Sequence, residues 1–174
     1  NVLNRAFNSS YTGGDGLELC STVHPLTGGG TEQNELTTAA DLSETTLEQA
    51  FIDIAATTDD RGIVLNLMPR KLIVPQNLYW TAAKLINSTL VPESANNAIN
   101  PAKGSLQIVV NHYLTDTDAW FIECDLHKII CYWRVKPSFN KGNDFDTDDA
   151  KFKARSRWSN GWGDFRGFYG SPGA

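Results

Sequence analysis

The sequence predicts an α+β fold, because two amphipathic helical segments lie in its first half and strand-like segments dominate its second half. The strands follow the helices and do not alternate regularly with them, which disfavours a doubly wound parallel sheet. The 174 residues are enough for one compact domain with a substantial core.

Residues 1–35 are predicted to form a loop-rich lead-in. Six of the 14 glycines lie there, and no helical period accompanies them. A short strand is predicted at residues 17–22. The glycine run at residues 28–30 lacks the Lys-Ser or Lys-Thr pair of a phosphate-binding loop, so it is predicted to be a flexible loop.

The first predicted helix begins after Ser43, whose side chain is suited to cap it, and Gly62 is the predicted stop signal. Its apolar side chains recur with the spacing of one helix face. The inward positions are Leu47, Ala50, Phe51 and Ile54.

A strand at residues 72–74 is predicted to end at Pro75, where a second helix begins. Three β-rich runs follow, LQIVVN, AWFIEC and KIICYWRV, which predict a hairpin or a small meander. The inward positions of the second helix are Leu78, Ala82, Leu85 and Ile86.

The tail predicts a long strand with one basic and one apolar face, because the two residue types alternate with a period of two. Its far end is rich in aromatic residues and glycine. The basic face is either solvated or contacts acidic groups on a neighbouring chain or packaged nucleic acid. The basic positions are Lys151, Lys153, Arg155 and Arg157, and the alternating ones are Phe152, Ala154, Ser156 and Trp158.

Composition excludes several function classes. The net charge of -5 disfavours a surface that grips nucleic acid throughout, although a local basic strip is compatible with it. No apolar run reaches the roughly 18 residues of a membrane span. Three histidines and the absence of a G-x-S-x-G motif give no support for nucleophilic catalysis, so no enzyme and no cofactor are predicted.

Metal binding is the main chemical alternative. Cys20 lies four residues before His24, and Cys124, His127 and Cys131 form a second possible ligand set. Neither spacing matches a compact zinc module, and reduced cysteines in apolar strands serve as small hydrophobic residues. The aspartates at positions 144, 146 and 148 are spaced like calcium ligands, but the loop lacks the expected glycine and glutamate.

Five segments taken in order resemble the major capsid proteins of Mu-like and related tailed bacteriophages. They are LCSTVHP, LSETTLEQAFIDIAATTDDRG, PRKLIVPQNLYWTAAKLINST, VVNHYLTDTDAWFI and DFDTDDAKFKARSRWSNGWGDFRGFYGSPGA, and together they run from about Leu17 to Ala174. The resemblance implies the tailed-phage coat-protein fold. Residues 36–135 would form its axial domain, and residues 136–174 would form the long C-terminal strand of its peripheral domain.

The resemblance also implies a function. The chain would be a structural subunit of an icosahedral phage head, assembled in the bacterial host cytoplasm into pentamers and hexamers that enclose double-stranded DNA. Family members are longer, so the chain is expected to be a C-terminal piece that works with an N-terminal remainder. Scaffolding, portal or decoration proteins are further expected partners, DNA contact would be weak and non-specific, and no membrane is involved.

Large aromatic side chains and arginines are typical anchors of protein interfaces. The tail therefore supplies the predicted subunit interface, although core packing is an equal alternative for its tryptophans. A small zinc-binding or sugar-binding α+β domain remains the alternative function. The predicted interface residues are Lys151, Lys153, Arg155, Arg157, Trp158, Trp162, Phe165, Phe168 and Tyr169.

Overall fold

The computed structural model describes residues 2–91, 98–127 and 129–174. Within these ranges it contains a mixture of helix and sheet, which agrees with the predicted α+β class. The elements in chain order are β1 (His24–Pro25), β2 (Thr31–Glu32), α1 (Glu44–Ala56), β3 (Pro69–Val74), α2 (Tyr79–Asn87), β4 (Gln107–Val110), β5 (Trp120–Cys124), β6 (Ile129–Asn143), β7 (Ala150–Trp162) and β8 (Phe168–Ser171).

A four-stranded sheet in the order β4-β3-β5-β8 forms the centre of the fold. Strand β3 pairs parallel with β4 and antiparallel with β5, which pairs antiparallel with β8. The predicted meander is therefore wrong: β3 separates β4 from β5, and β6 leaves this sheet to pair with β7. The parallel connection from β3 to β4 runs through α2, as a crossover between parallel strands requires.

One face of the sheet packs against both helices. Alternate strand residues point to this side, among them Leu72, Trp120 and Tyr169, and all three belong to one buried cluster with residues of α1 and α2. The predicted inward positions of the helices are confirmed, since each of them is buried or packs against that cluster.

Helix α1 begins as predicted and ends early. The Ser43 side chain accepts a hydrogen bond from the Thr46 amide, and the Thr46 side chain accepts one from the Ser43 amide, which makes a reciprocal capping box. The helix stops at Ala56, six residues before Gly62. Gly62 serves a later turn, where its φ of 79° is one that glycine adopts without strain.

The other face of the sheet is covered by the N-terminal segment, which has little regular structure. Leu3, Leu19 and Cys20 pack there against Phe121 and Phe168. The prediction of a strand at residues 17–22 is wrong, because the structure contains no strand there and instead forms β1 and β2 beyond it. The glycine run is the turn between β1 and β2, with φ near 91° and 93° at Gly29 and Gly30.

Asn34 ties this irregular layer to the sheet. Its side-chain Nδ2 donates hydrogen bonds to the carbonyl oxygens of Leu19 (2.7 Å), Phe168 (3.1 Å) and Phe165 (3.3 Å). The Asn34 side chain is buried. A buried segment without sheet or helix pairing needs such partners for its backbone groups.

The oxygen of the Asn34 side-chain amide completes the network. Its Oδ1 accepts hydrogen bonds from the Ser21 amide (2.8 Å) and from Nε2 of His24 (3.1 Å). Nδ1 of His24 lies 2.6 Å from a carboxylate oxygen of Asp15. The His24 ring also stacks on Phe165, with 3.8 Å between ring centroids. His24 is thus a fully paired core residue in this structure.

Glu35 lies next to this network, and its backbone forms an isolated parallel β-bridge with Gly170. Partial burial and the neighbouring Glu18 carboxylate raise the pKa of Glu35 from 4.5 to about 7. Both effects disfavour the charged form of the side chain.

No helix within the described ranges combines the length and the apolar character of a membrane span.

We expect Asn34→Ala to lower the free energy of unfolding by about 3 kcal/mol or more, because each buried backbone group left without a partner costs about 1–3 kcal/mol. Urea denaturation followed by circular dichroism measures this change. Asn77→Ala is the matched control, since Asn77 is exposed and its replacement should change stability by less than about 0.5 kcal/mol. Equal effects of the two substitutions would contradict the role of Asn34.

We expect the free energy of unfolding to fall as pH rises from 4.5 to about 7, because the folded protein retains the Glu35 proton across this range while the unfolded chain releases it. Glu35→Gln should flatten that part of the stability profile. Urea denaturation at a series of pH values measures it. Glu48→Gln, on the exposed surface of α1, should retain the wild-type profile, and an unchanged slope in Glu35→Gln would refute the assignment.

Candidate subunit interface

Strands β6 and β7 form a ribbon, which we define as Ile129–Asn143, Ala150–Trp162 and the turn between them. The two strands pair antiparallel with each other and belong to no other sheet in the described structure. The 13 residues of β7 span about 40 Å at roughly 3.3 Å per residue. Nearly all of the described ribbon residues are exposed, so the ribbon extends away from the core.

The predicted long strand with two chemically different faces is confirmed as β7. Residues that lie opposite each other in an antiparallel pair point to the same side. The register pairs Trp133 with Trp158 and Phe139 with Ala154. The partner strand therefore adds aromatic residues to the apolar side of β7.

We call this side the aromatic face. The rings of Phe139 and Phe152 stack with centroids 5.9 Å apart although their side chains remain 68% and 63% exposed. Trp133 and Trp158 are also largely exposed. Contiguous exposed apolar surface of this kind marks sites of protein association. The aromatic face consists of Trp133, Phe139, Phe152, Ala154 and Trp158, and Lys141 lies on the same side opposite Phe152.

The opposite side of β7 is the basic face, made of Lys151, Lys153, Arg155 and Arg157, all of them exposed. Lys151 is in contact with Asp144 in the turn. The other three form no ion pair within the described chain, so their charges are available to a partner.

Two bulges interrupt β6. The register slips once between Trp133 and Val135 and again between Val135 and Ser138. Pro137 lies in the second slip, where the missing backbone N–H of proline costs no ladder hydrogen bond. Bulges bend a strand and increase its local twist, so the ribbon is not a flat two-stranded sheet.

Trp162 fixes the base of the ribbon to the N-terminal segment. Its ring packs edge-on against Tyr11, with 5.3 Å between ring centroids, and the Tyr11 hydroxyl donates to the carbonyl of Asn160 (2.9 Å). A Cβ on Gly13 would lie 2.5 Å from the indole nitrogen, so only glycine permits this close approach.

Three predicted interface residues belong to the core of their own chain. Phe165 stacks on His24 and under the Arg166 guanidinium. Phe168 and Tyr169 lie in β8, where they point to opposite faces of the central sheet and Tyr169 is 1% exposed. These three side chains offer little surface to a second subunit in the described structure, which favours the alternative of core packing for Phe165, Phe168 and Tyr169.

Trp133 and Phe139 are interface candidates that sequence reasoning missed. Both lie on β6, whose bulges shift the side-chain alternation and hide it from a simple period-two search. The aromatic residues of the run CYWRV are the signal that could have identified Trp133, but the run by itself predicts a strand and no interface.

The cysteine and histidine residues do not assemble into one group. Cys20 and Cys124 are buried while Cys131 is exposed on the ribbon, and all three are free thiols. His127 lies 3.3 Å from Glu123. Across the described residues, no three His, Cys, Asp or Glu side chains are placed to share a metal ion.

Comparison with known proteins gives one result that covers most of the chain. The family model described as phage capsid protein matches residues 2–171. No curated protein and no solved structure matches the sequence or the fold. Because the match spans the sheet, both helices and the ribbon, this chain belongs to the phage capsid protein family, whose members are structural proteins of the bacteriophage virion.

Proposed function

We propose that this chain is a subunit of an icosahedral phage head that self-assembles into the shell enclosing double-stranded DNA. The observation that carries the proposal is the ribbon, which presents an aromatic face and a basic face outside the core. A structural protein that acts in many copies needs exposed surfaces of this kind.

The ribbon's own stability supports a contact with another subunit. An isolated two-stranded ribbon is marginal in water, since it has neither a third strand nor a layer to bury its apolar side chains. Here two tryptophans and two phenylalanines stay largely exposed along its length. Covering them with a neighbouring subunit would remove apolar surface from water and hold the ribbon in place.

The contact we propose is heterologous, with the ribbon of one subunit meeting a different surface of the next. Contacts of this type close into rings when the rotation between subunits permits it. Pentamers and hexamers are such rings, and they are the units from which we propose that the shell is built. The retained interface residues are Lys151, Lys153, Arg155, Arg157, Trp158 and, at the base, Trp162.

We place the boundary of the peripheral part differently from the sequence-based division into residues 1–35, 36–135 and 136–174. A boundary between residues 135 and 136 falls inside β6. Since β6 pairs with no strand other than β7 in the described structure, we propose that the whole ribbon is one peripheral unit and that β8 returns to the axial sheet.

The remaining partners follow from the family and the charge. The net charge of -5 favours weak, non-specific contact with packaged DNA over tight binding. The free thiols fit assembly in the reducing host cytoplasm. An N-terminal remainder of the coat protein, together with scaffolding, portal or decoration proteins, would complete the head.

We expect Trp133→Ala combined with Trp158→Ala to reduce particle formation, because buried tryptophans at interfaces commonly contribute 2 kcal/mol or more each, roughly 30-fold in association. Light scattering and negative-stain microscopy of the coat protein, expressed with any sequence that precedes Asn1, measure assembly. Urea denaturation of the unassembled protein should show little change, since both side chains are exposed.

Trp80→Ala is the control, because Trp80 is the same residue type, is exposed on α2 and lies outside the ribbon. It should leave assembly unchanged. Wild-type protein that stays monomeric under all assembly conditions would refute the shell function, whereas equal effects of the control and the ribbon variant would refute only the role of the ribbon.

A further inference from the structure

Charge is divided unevenly between two parts of the chain. The two ribbon strands contain seven Lys or Arg residues and no Asp or Glu. Residues 6–60, which we call the acidic segment, contain ten Asp or Glu residues and no Lys or Arg. The modest net charge therefore combines two basic strands with an acidic stretch of sequence, which packs on both faces of the central sheet.

Few of these charges are neutralised within one chain. In the acidic segment, Asp60 pairs with Arg166 and Asp15 contacts His24, and no other carboxylate of the segment forms an ion pair with a described residue. Among the Lys and Arg residues of the ribbon strands, Lys151 is the one that forms an ion pair with a described residue. None of the ten acidic residues is fully buried, and Asp41 and Glu48 are exposed and form no ion pair with a described residue.

Within one copy, no ion pair among the described residues joins the basic face to the acidic segment. The acidic segment touches the ribbon at its base, where Tyr11 and Gly13 contact Asn160 and Trp162. The basic face lies further along β7, toward the turn at residues 144–149.

We propose that the basic face of one copy docks on the acidic segment of a second copy. This inference rests on the proposed shell function and specifies its contact, which is directional and leads from the ribbon of each subunit to the body of the next. Complementary charge sets the register and orientation of such a contact.

Zero-length carbodiimide crosslinking of assembled particles tests the proposal, because the reagent joins a lysine amine only to a carboxylate in contact with it. Unlabelled and ¹⁵N-labelled coat protein are mixed in equal amounts before assembly. We expect Lys153 to be joined to carboxylates of the acidic segment in peptide pairs that carry both isotopes. Lys151 joined to Asp144 provides the internal standard, in pairs of a single isotope.

The proposal is overturned if Lys153 forms no crosslink, forms only single-isotope pairs, or is joined to carboxylates outside residues 6–60. Particles that form normally while Lys153 gives any of these results would leave the shell function intact. Failure of the wild-type protein to form particles would count against both.

Charge reversal provides a second measurement. Lys153→Glu, Arg155→Glu and Arg157→Glu together should raise the protein concentration needed for assembly by about tenfold or more. The control reverses Arg61, Arg70 and Lys84, which are exposed bases outside the ribbon, and it should shift that concentration less than threefold. If the ribbon variant assembles normally and loses only packaged DNA, the basic face serves DNA and the proposal is wrong.

Discussion

The fold depends on a polar network that provides hydrogen-bond partners for buried backbone groups. This network allows an irregular segment to form one layer of the core. The central sheet is covered by helices on one face and by the N-terminal segment on the other. Helices satisfy their own backbone groups, whereas a loop does not. The buried side-chain amide of Asn34 bonds to four backbone groups and to the His24 ring, and His24 links it to Asp15.

The same network holds the chain just after the ribbon ends. Two of the carbonyl groups bound by Asn34 belong to Phe165 and Phe168, three and six residues beyond the end of β7. Trp162 and Tyr11 fix the last residues of β7 against the N-terminal segment. The ribbon is therefore fixed at its base, while most of its length is exposed.

Local patterns in the sequence predicted the elements with strong periodicity. The capping residue Ser43, the inward face of α1, the strand before Pro75 and the alternation along β7 are all found in the structure. The strand order was not predictable in this way, because β3 inserts between β4 and β5 through contacts distant in sequence. The N-terminal layer was missed for a related reason, since its burial depends on side-chain hydrogen bonds and not on periodic apolar residues.

The candidate interface shows the same limit. Alternation along the sequence predicts Trp158 and the basic face. For an aromatic residue near the end of a strand, however, the local sequence is the same whether the side chain is exposed or buried in a core. The sequence predicts an interface for Phe165, Phe168 and Tyr169 with core packing as the alternative, and in the structure Phe168 and Tyr169 belong to the two clusters while Phe165 stacks on His24. Their burial depends on the return of the chain from the ribbon, which no local pattern records.

The bulges in β6 have a consequence for a protein made in many copies within one cell. A long ribbon with two open edges is a template on which further strands can add, and unlimited addition leads to fibres. Pro137 and the two register slips break the regular row of backbone donors along one edge, and lysines and arginines line the other strand. The ribbon can thus expose apolar and basic faces while its edges discourage the addition of further strands, which disfavours fibre formation.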